Sequence, residues 1–261
     1  MSGNNREPGR TVLSKGFAIL TALRTAETGL TRPQLARRTG LPMTTVLRLA
    51  TELRTFGALE LDEHGTYRLG GWLWELGTLA ASRSTLREIA LPYMQDLYEA
   101  THENVQLAVM DGFDALYVER IRGPKSVAIV TRPGGRLPLH ATGVGKVLLA
   151  YAPPDFIEQV IARGLAKMTP STITDGDALR RCLAEVRDRG YSVTRDEMTV
   201  GAVSVGAAIF GPDDEVIGAV SLVVHAQGAD PAALAPAVRA VASGLTRRVG
   251  ELWDAGAGSR W

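Results

Sequence analysis

Two short helical patterns separated by a glycine turn lie between Thr31 and Phe56. The first starts with Thr31-Arg32-Pro33-Gln34, a capping box in which the threonine and the glutamine can satisfy each other's backbone N–H groups. After Gly40-Leu41-Pro42, where the glycine can take a left-handed cap conformation, a second helix is predicted from Met43 to Phe56. A further helix is predicted before the pair, at Leu13 to Leu23. This order predicts a helix-turn-helix unit.

The helix at 43–56 has two chemically different faces. Its apolar residues share one side: Val46, Leu49, Ala50 and Leu53. The other side carries short hydroxyls and one arginine, which suit close approach to phosphates and base edges in a DNA major groove. We therefore predict that bases are read by Thr44, Thr45 and Arg48, and that phosphates are bound by Lys15, Arg32, Arg37 and Arg38. The alternative is an ordinary three-helix packing unit with a solvated face.

A β-hairpin is predicted directly after this helix. Residues 58–61 and 66–69 alternate between apolar and polar side chains around Asp62-Glu63-His64-Gly65, which has the glycine typical of a hairpin turn. A hairpin at this place makes a winged helix-turn-helix. Arg68 is predicted to touch the DNA backbone from the wing, and His64 is a second candidate. Asp62 and Glu63 would be repelled by phosphate, so we expect little affinity from the wing tip.

The charges of the chain are unevenly distributed. Residues 1–70 carry 10 Lys and Arg against 6 Asp and Glu, although the formal net charge of all 261 residues is only +1. A basic front module fits the predicted contact with nucleic acid. No apolar run is long enough for a membrane span, and none precedes Thr11 as a signal peptide would require. We therefore expect a cytoplasmic protein with no membrane partner.

Several motifs resemble enzyme sites without their full chemistry. Thr142-Gly143-Val144-Gly145-Lys146-Val147 imitates a phosphate-binding loop but has His140 and Val147 where that loop needs glycine and a hydroxyl. The four histidines have no short metal-ligand spacing, and Cys182 lies in an apolar helical pattern typical of a core. We predict no catalytic residue, no metal and no cofactor. The alternative is an enzyme or metabolite carrier whose N-terminal module is an adaptor.

The rest of the chain predicts an α+β domain. Strands are expected at 104–110, 115–122, 127–130, 191–195, 203–210 and 216–224, and helices at 86–100, 144–151, 155–163, 177–189 and 231–253. The later strands are joined as hairpins, and helices come before, between and after the strands. This arrangement favours an antiparallel sheet covered by helices.

Three stretches in this order resemble the IclR family of bacterial transcription regulators. The helix-turn-helix residues 30–49 and the wing Tyr67-Arg68-Leu69-Gly70 match its N-terminal pattern. The segment 137–146, PLHAT with a following Gly-Lys, resembles a family signature, as do 189–197 and 201–207. The resemblance extends from Val12 to about Trp253, which makes it specific.

The resemblance implies a domain plan and partners. It divides the chain into a disordered N-terminus at 1–10, a winged helix-turn-helix domain at 11–70, a linker helix at 71–84 and a GAF-like effector domain at 85–255. The linker helix would pack in a homodimer, with a tetramer also open, and the dimer would bind double-stranded operator DNA as a repressor. A constitutive DNA binder with an inert C-terminal core is the alternative.

The resemblance also implies a small-molecule pocket on one side of the sheet. Carried over by position, its residues are Leu137, Gly143, Val144, Thr194, Ser204, Ser221 and Val223. Many family members have Asp in place of Thr194, Cys in place of Ser204 and a second Ser in place of Val223. With the carboxylate absent and hydroxyls left to donate, we expect an effector with an apolar or aromatic body and a carboxylate or carbonyl head. The alternative for each hydroxyl is a structural contact within the sheet.

Overall fold

The computed structural model describes residues 11–255 except 25, 27, 80 and 125. The predicted disordered segment 1–10 lies outside the described residues. Within the described part, the backbone forms two compact units that divide between Ala81 and Ser82. No helix among these residues is long and apolar enough to cross a membrane.

The N-terminal unit is a winged helix-turn-helix, as predicted. Its elements are α1 (Val12–Leu23), β1 (Leu30–Thr31), α2 (Arg32–Thr39), α3 (Met43–Thr55), β2 (Leu59–Leu61), β3 (Thr66–Leu69) and α4 (Gly71–Thr78). The capping box begins α2, where Gln34 Oε1 accepts from the Thr31 N–H at 2.7 Å. Gly40 ends α2 with a φ of 68°, a conformation that glycine adopts without steric cost.

A small sheet joins the wing to the helices. Among the described residues its strands lie in the antiparallel order β1-β3-β2, with Leu30 opposite Tyr67 and Leu59 opposite Leu69. The two-residue strand β1 was not predicted, because so short a pairing leaves no alternating pattern in the sequence. The core of the unit is formed by apolar side chains of α1, α2, α3 and the sheet: Ile19, Leu23, Leu30, Leu35, Val46, Leu49, Ala50, Leu59 and Tyr67.

The C-terminal unit is built on a curled antiparallel sheet. Its helices are α5 (Ala81–Thr101), α6 (Gly143–Ala150), α7 (Pro154–Ala162), α8 (Gly176–Arg189) and α9 (Pro231–Asp254). Its strands are β4 (Asn104–Asp111), β5 (Asp114–Ile121), β6 (Arg136–Pro138), β7 (Ser192–Arg195), β8 (Ala202–Phe210) and β9 (Val216–His225). Within the described chain these strands pair in the order β6-β5-β4-β9-β8-β7.

Alternate residues of the strands enter two different cores. Val203, Val205 and Ile209 of β8 pack on one face of the sheet with residues of α5 and α9. Residues of the opposite parity, such as Ala208 and Ala219, pack with α6 and α8 on the other face. Successive side chains of a strand point to opposite faces. In this sheet, one face carries large apolar residues and the other carries small and polar ones. The second face is where a cavity forms.

Two predicted elements were wrong. Residues 127–130 are not a strand: Val127 packs on Ala202 and Val223, and its carbonyl accepts from Asn104 Nδ2 at 2.9 Å. Their apolar character therefore reflects a loop that covers polar sheet residues, while the strand beside β5 is β6 at Arg136–Pro138. The single helix expected at 71–84 is instead α4, which ends at Thr78, followed by α5 from Ala81.

Candidate functional site

The exposed face of α3 carries the residues predicted to read bases. Val46, Leu49 and Ala50 are buried, which leaves Thr44 and Arg48 exposed and Thr45 half-buried on the outer side of the helix. This arrangement follows from the helical period, since three buried apolar positions fix the direction that the polar positions take. The face can present hydroxyls and a guanidinium to a DNA groove.

Two apolar side chains on the same helix were not singled out from the sequence. Met43 is 41% exposed and Leu47 is 43% exposed. Apolar side chains at a base-reading surface can contact the methyl group of thymine. Leu47 could have been noticed, because it is the apolar residue of α3 that falls beside Thr44 and Arg48 rather than with the core residues.

Basic side chains predicted to bind phosphate lie on α1 and α2. Arg32, Arg37 and Arg38 of α2 are exposed, and Lys15 of α1 is half-buried. Arg38 Nη1 also donates to the Ala22 carbonyl at 3.1 Å, which ties the end of α2 to α1. Arg38 therefore has a structural role in addition to the predicted contact with phosphate.

The wing turn is organised by Asp62. Its Oδ1 accepts from the backbone N–H groups of His64 at 3.0 Å and Thr66 at 2.9 Å. The hydrogen bond from Thr66 is the largest of the causes that lower the pKa of Asp62, and Arg68 contributes through its charge, with Nη2 3.4 Å from Asp62 Oδ2. Asp62 thus shapes the hairpin turn, and Arg68, the predicted phosphate ligand, already has a carboxylate neighbour.

A cavity opens on the α6 side of the large sheet. About 400 Å³ is free when the opening to solvent is included. The residues that line it come from the sheet, the start of α6 and two loops: Gln106, Tyr117, Ile129, Val130, Thr131, Leu137, Thr142, Gly143, Thr194, Glu197, Met198, Thr199, Ala202, Ser204 and Val223. A partly apolar cavity with a few convergent polar groups is typical of a small-molecule site.

The structure brings together most of the residues predicted for the effector. Leu137, Gly143, Thr194, Ser204 and Val223 all line this cavity. Thr194 and Ser204 are opposite each other on β7 and β8, so their hydroxyls lie on the same face of the sheet.

Two predicted effector residues lie elsewhere. Val144 is buried in the core between α6 and the sheet, because the next residue of a helix points about 100° away from Gly143. Ser221 is fully buried on β9 and donates to Gln106 Oε1 at 3.4 Å. Ser221 therefore supports a residue of the lining instead of belonging to it.

Gln106 and its partners form a polar network that sequence reasoning missed. Gln106 Nε2 donates to Thr131 Oγ1 at 2.6 Å, and Arg120 donates to the Thr131 carbonyl. The signal was present in β4, where Asn104 and Gln106 occupy alternate positions of a strand whose other residues up to Met110 are apolar. Polar residues on one face of a buried strand indicate that this face meets something other than a core.

Tyr117 and Thr142 form another polar part of the lining. Burial raises the pKa of Tyr117 well above its usual value, outweighing the lowering by the hydrogen bond with the Thr142 side chain. Thr142 Oγ1 also accepts from Gly145 N–H at 3.1 Å and caps α6. The phenol is therefore neutral near neutral pH and is held against the start of this helix.

An ion pair joins Glu197 of the cavity lining to Lys146 of α6. Lys146 Nζ donates to Glu197 Oε1 at 2.5 Å, with side chains 1% and 8% exposed, respectively. Cys182, predicted to be a core residue, is half-buried near this pair, and its pKa is raised chiefly by burial. The lysine of the segment 142–147, which imitates a phosphate-binding loop, therefore binds the carboxylate of Glu197 and not a phosphate. No metal-binding group of His, Cys, Asp and Glu side chains occurs among residues the structure describes.

A winged helix-turn-helix with an exposed basic surface, followed by a sheet domain with a ligand-sized cavity, defines a DNA-binding transcription regulator. The model of the IclR helix-turn-helix domain matches residues 12–63, and the model of the bacterial transcriptional regulator IclR C-terminal domain matches residues 78–247. The chain belongs to the IclR family of transcription regulators, and the family consists of DNA-binding regulators, not enzymes.

Individual relatives agree with this membership. The transcriptional regulator KipR of Bacillus subtilis is 35% identical over 74% of this chain and 78% of its own length. The transcriptional repressor AllR of Escherichia coli is 28% identical over 83% of this chain and 80% of its own length. An IclR homologue from Microbacterium hydrocarbonoxydans, crystallised in complex with 4-hydroxybenzoate, has a TM-score of 0.86 and 32% identity, covering 92% of this chain and 99% of that protein.

Proposed function

We propose that this chain is a ligand-responsive repressor whose affinity for operator DNA changes when a small molecule binds in the C-terminal cavity. The observation that carries the proposal is the cavity itself, where the hydroxyls of Thr194 and Ser204 share a wall with apolar residues of the covering loop and β9. Polar side chains that converge on an open cavity are typical of a ligand site, and a domain with a purely structural role does not require them.

We propose an effector with an aromatic or apolar body and a carboxylate or carbonyl head. Ile129, Val130, Leu137 and Val223 can contact the body. Hydroxyls can donate to the oxygens of the head. The 4-hydroxybenzoate bound by the Microbacterium homologue is a molecule of this kind, which supports the choice of class.

We further propose that the chain acts as a homodimer through α4. Trp74 is 74% exposed and Leu79 is 76% exposed, with Trp72 and Leu76 also exposed. Trp72, Leu76 and Leu79 recur at i, i+4 and i+7 and so share one side of the helix and its C-cap, whereas Trp74 lies on another side. Large exposed apolar side chains on one short helix are unfavourable in water and are typical of an interaction surface. In a two-fold dimer the two α3 helices would read half-sites about 34 Å apart or at a multiple of that distance.

Repression of a catabolic operon is the proposed outcome of DNA binding. The name of AllR as a repressor supports this direction. An effector that binds the DNA-competent and DNA-incompetent arrangements unequally, by about 1–3 kcal/mol, would change operator affinity about 5–150-fold.

The test is a gel-shift titration of the full chain on DNA from the neighbouring intergenic region, with and without 4-hydroxybenzoate. We expect operator affinity to fall at least about five-fold when the compound is present. A Ser204→Val variant should keep its DNA affinity and lose the response, whereas Thr85→Val, outside the cavity lining, should retain it. Unchanged affinity with every aromatic acid tried would instead favour a constitutive DNA binder.

A further inference from the structure

We propose that Glu197 determines ligand specificity, with its Oε2 atom accepting a hydrogen bond from a hydroxyl or N–H group of the ligand. This inference rests on the proposed function of the cavity as the effector site. It adds a requirement to the ligand class, because the molecule must then carry a donor as well as the oxygen-bearing head that faces the hydroxyls.

The two carboxylate oxygens of Glu197 have different surroundings. Oε1 accepts from Lys146 Nζ at 2.5 Å. Oε2 is buried, and within the described part of the chain it has no hydrogen-bond partner. Glu197 also lines the cavity. Buried polar atoms in folded proteins are nearly always hydrogen-bonded, so an unpaired carboxylate oxygen beside a cavity indicates that its partner comes from the ligand.

Glu197 is held in place before any ligand arrives. Its carbonyl accepts from the hydroxyl of Thr172 at 2.7 Å and that of Thr169 at 3.3 Å. Its side chain is fixed by Lys146, which is itself buried. Lys146 is therefore a positioning residue: it is absent from the cavity lining and acts through the carboxylate. A pre-organised acceptor needs no rearrangement to bind a donor.

The charge of Glu197 also selects the group that binds there. A free carboxylate oxygen attracts a donor and repels a ligand carboxylate. The anionic head of an aromatic acid is then directed to the hydroxyls of Thr194 and Ser204, and the hydroxyl or amino group to Glu197. The geometry points to an aromatic acid that bears a ring hydroxyl or amine.

The experiment compares two ligands of nearly equal shape, 4-hydroxybenzoate and 4-fluorobenzoate, by calorimetric titration of the full chain. A hydrogen bond to a charged group corresponds to about a ten-fold or greater preference for the hydroxylated compound. In Glu197→Gln we expect most of this preference to disappear. Because this substitution leaves the buried charge of Lys146 without a charged partner, the double variant Lys146→Met/Glu197→Gln is measured as well.

The control is Glu158→Gln, which removes a carboxylate paired with Arg180 outside the cavity lining and should leave the preference unchanged. Equal binding of the two compounds by the wild-type chain would overturn the role of Glu197 but leave the aromatic-acid class intact. If both Glu197 variants still prefer 4-hydroxybenzoate over 4-fluorobenzoate, the proposed role of Glu197 is overturned as well. Binding of neither compound would contradict the proposed ligand class, and the inference with it.

Discussion

Single side chains on α3 are expected to decide which DNA sequence is bound. Arg48 is exposed on the face that the buried residues leave free, and its guanidinium can make a bidentate contact with guanine. Arg54 has the same chemistry on the same helix but lies at a different angle around it. The two residues therefore form a matched pair for testing the base-reading face.

Replacing Arg48 by alanine should weaken operator binding by about 1–3 kcal/mol and relax selectivity at one base pair of each half-site. Arg54→Ala should leave selectivity unchanged, because its side chain does not share the direction of Thr44 and Arg48. Gel-shift titrations on the operator and on single-base variants measure both effects. Wild-type selectivity in Arg48→Ala would remove this residue from base reading.

Glu103 gives a pH dependence of stability with a defined sign. Burial raises the pKa of Glu103 above 4.5, against a smaller lowering by the charge of His225. An acid with a raised pKa in the folded state favours folding below its unfolded pKa, and this contribution is lost as the pH rises through the folded pKa. Glu103→Gln should therefore melt higher than the wild type at neutral pH and equally well under acidic conditions. Thermal melts at both pH values provide the check, and a lower melting temperature at neutral pH would contradict it.

At the scale of elements, the wing depends on a close approach of two backbone segments. Gly70 N–H donates to the Ala58 carbonyl at 3.0 Å, and a Cβ at Gly70 would overlap the Gly57 carbonyl oxygen. At Gly71, the first residue of α4, a Cβ would meet no atom within 4 Å. Gly70 therefore has no room for a side chain, whereas the adjacent Gly71 does.

Gly70→Ala should destabilise the N-terminal unit by about 1–3 kcal/mol, because backbone atoms have to shift. Gly71→Ala should be neutral or stabilising by up to about 1 kcal/mol, since alanine favours the helix. Denaturant unfolding of the full chain followed by tryptophan fluorescence measures both, as Trp72 and Trp74 lie in α4. Equal stability of the two variants would show that the close approach at Gly70 is not a constraint.

At the scale of the whole molecule, the exposed apolar side chains of α4 lead to a prediction about assembly. Trp74→Glu should weaken the proposed dimer by about 2 kcal/mol or more, because large aromatic residues dominate such interfaces. Trp74→Phe keeps an apolar ring and should retain the dimer. Analytical ultracentrifugation over a range of concentrations distinguishes the two, and an unaltered dimer in Trp74→Glu would place the interface elsewhere.

Local patterns predicted the elements more reliably than the contacts between them. The capping box at Thr31 and the left-handed Gly40 fixed the limits of α2 because each acts within a few residues. A strand was predicted wrongly at 127–130 because the β-branched residues of a loop that covers a cavity have the same composition as a short strand. Glu197 was not found because its partner Lys146 lies 51 residues earlier, and only the folded chain brings them together.

One face of the large sheet packs against helices and the other lines the cavity, and this separation has a consequence for how family members evolve. Val203, Val205 and Ile209 maintain the packing with α5 and α9, while Ser204 between them faces the cavity. On the proposed function, we therefore expect substitutions at the intervening positions to change which small molecule binds while the packing of the other face is kept. On the same proposal, we expect a few point changes at these cavity positions to give duplicated genes new effectors without disturbing the packing of α5 and α9.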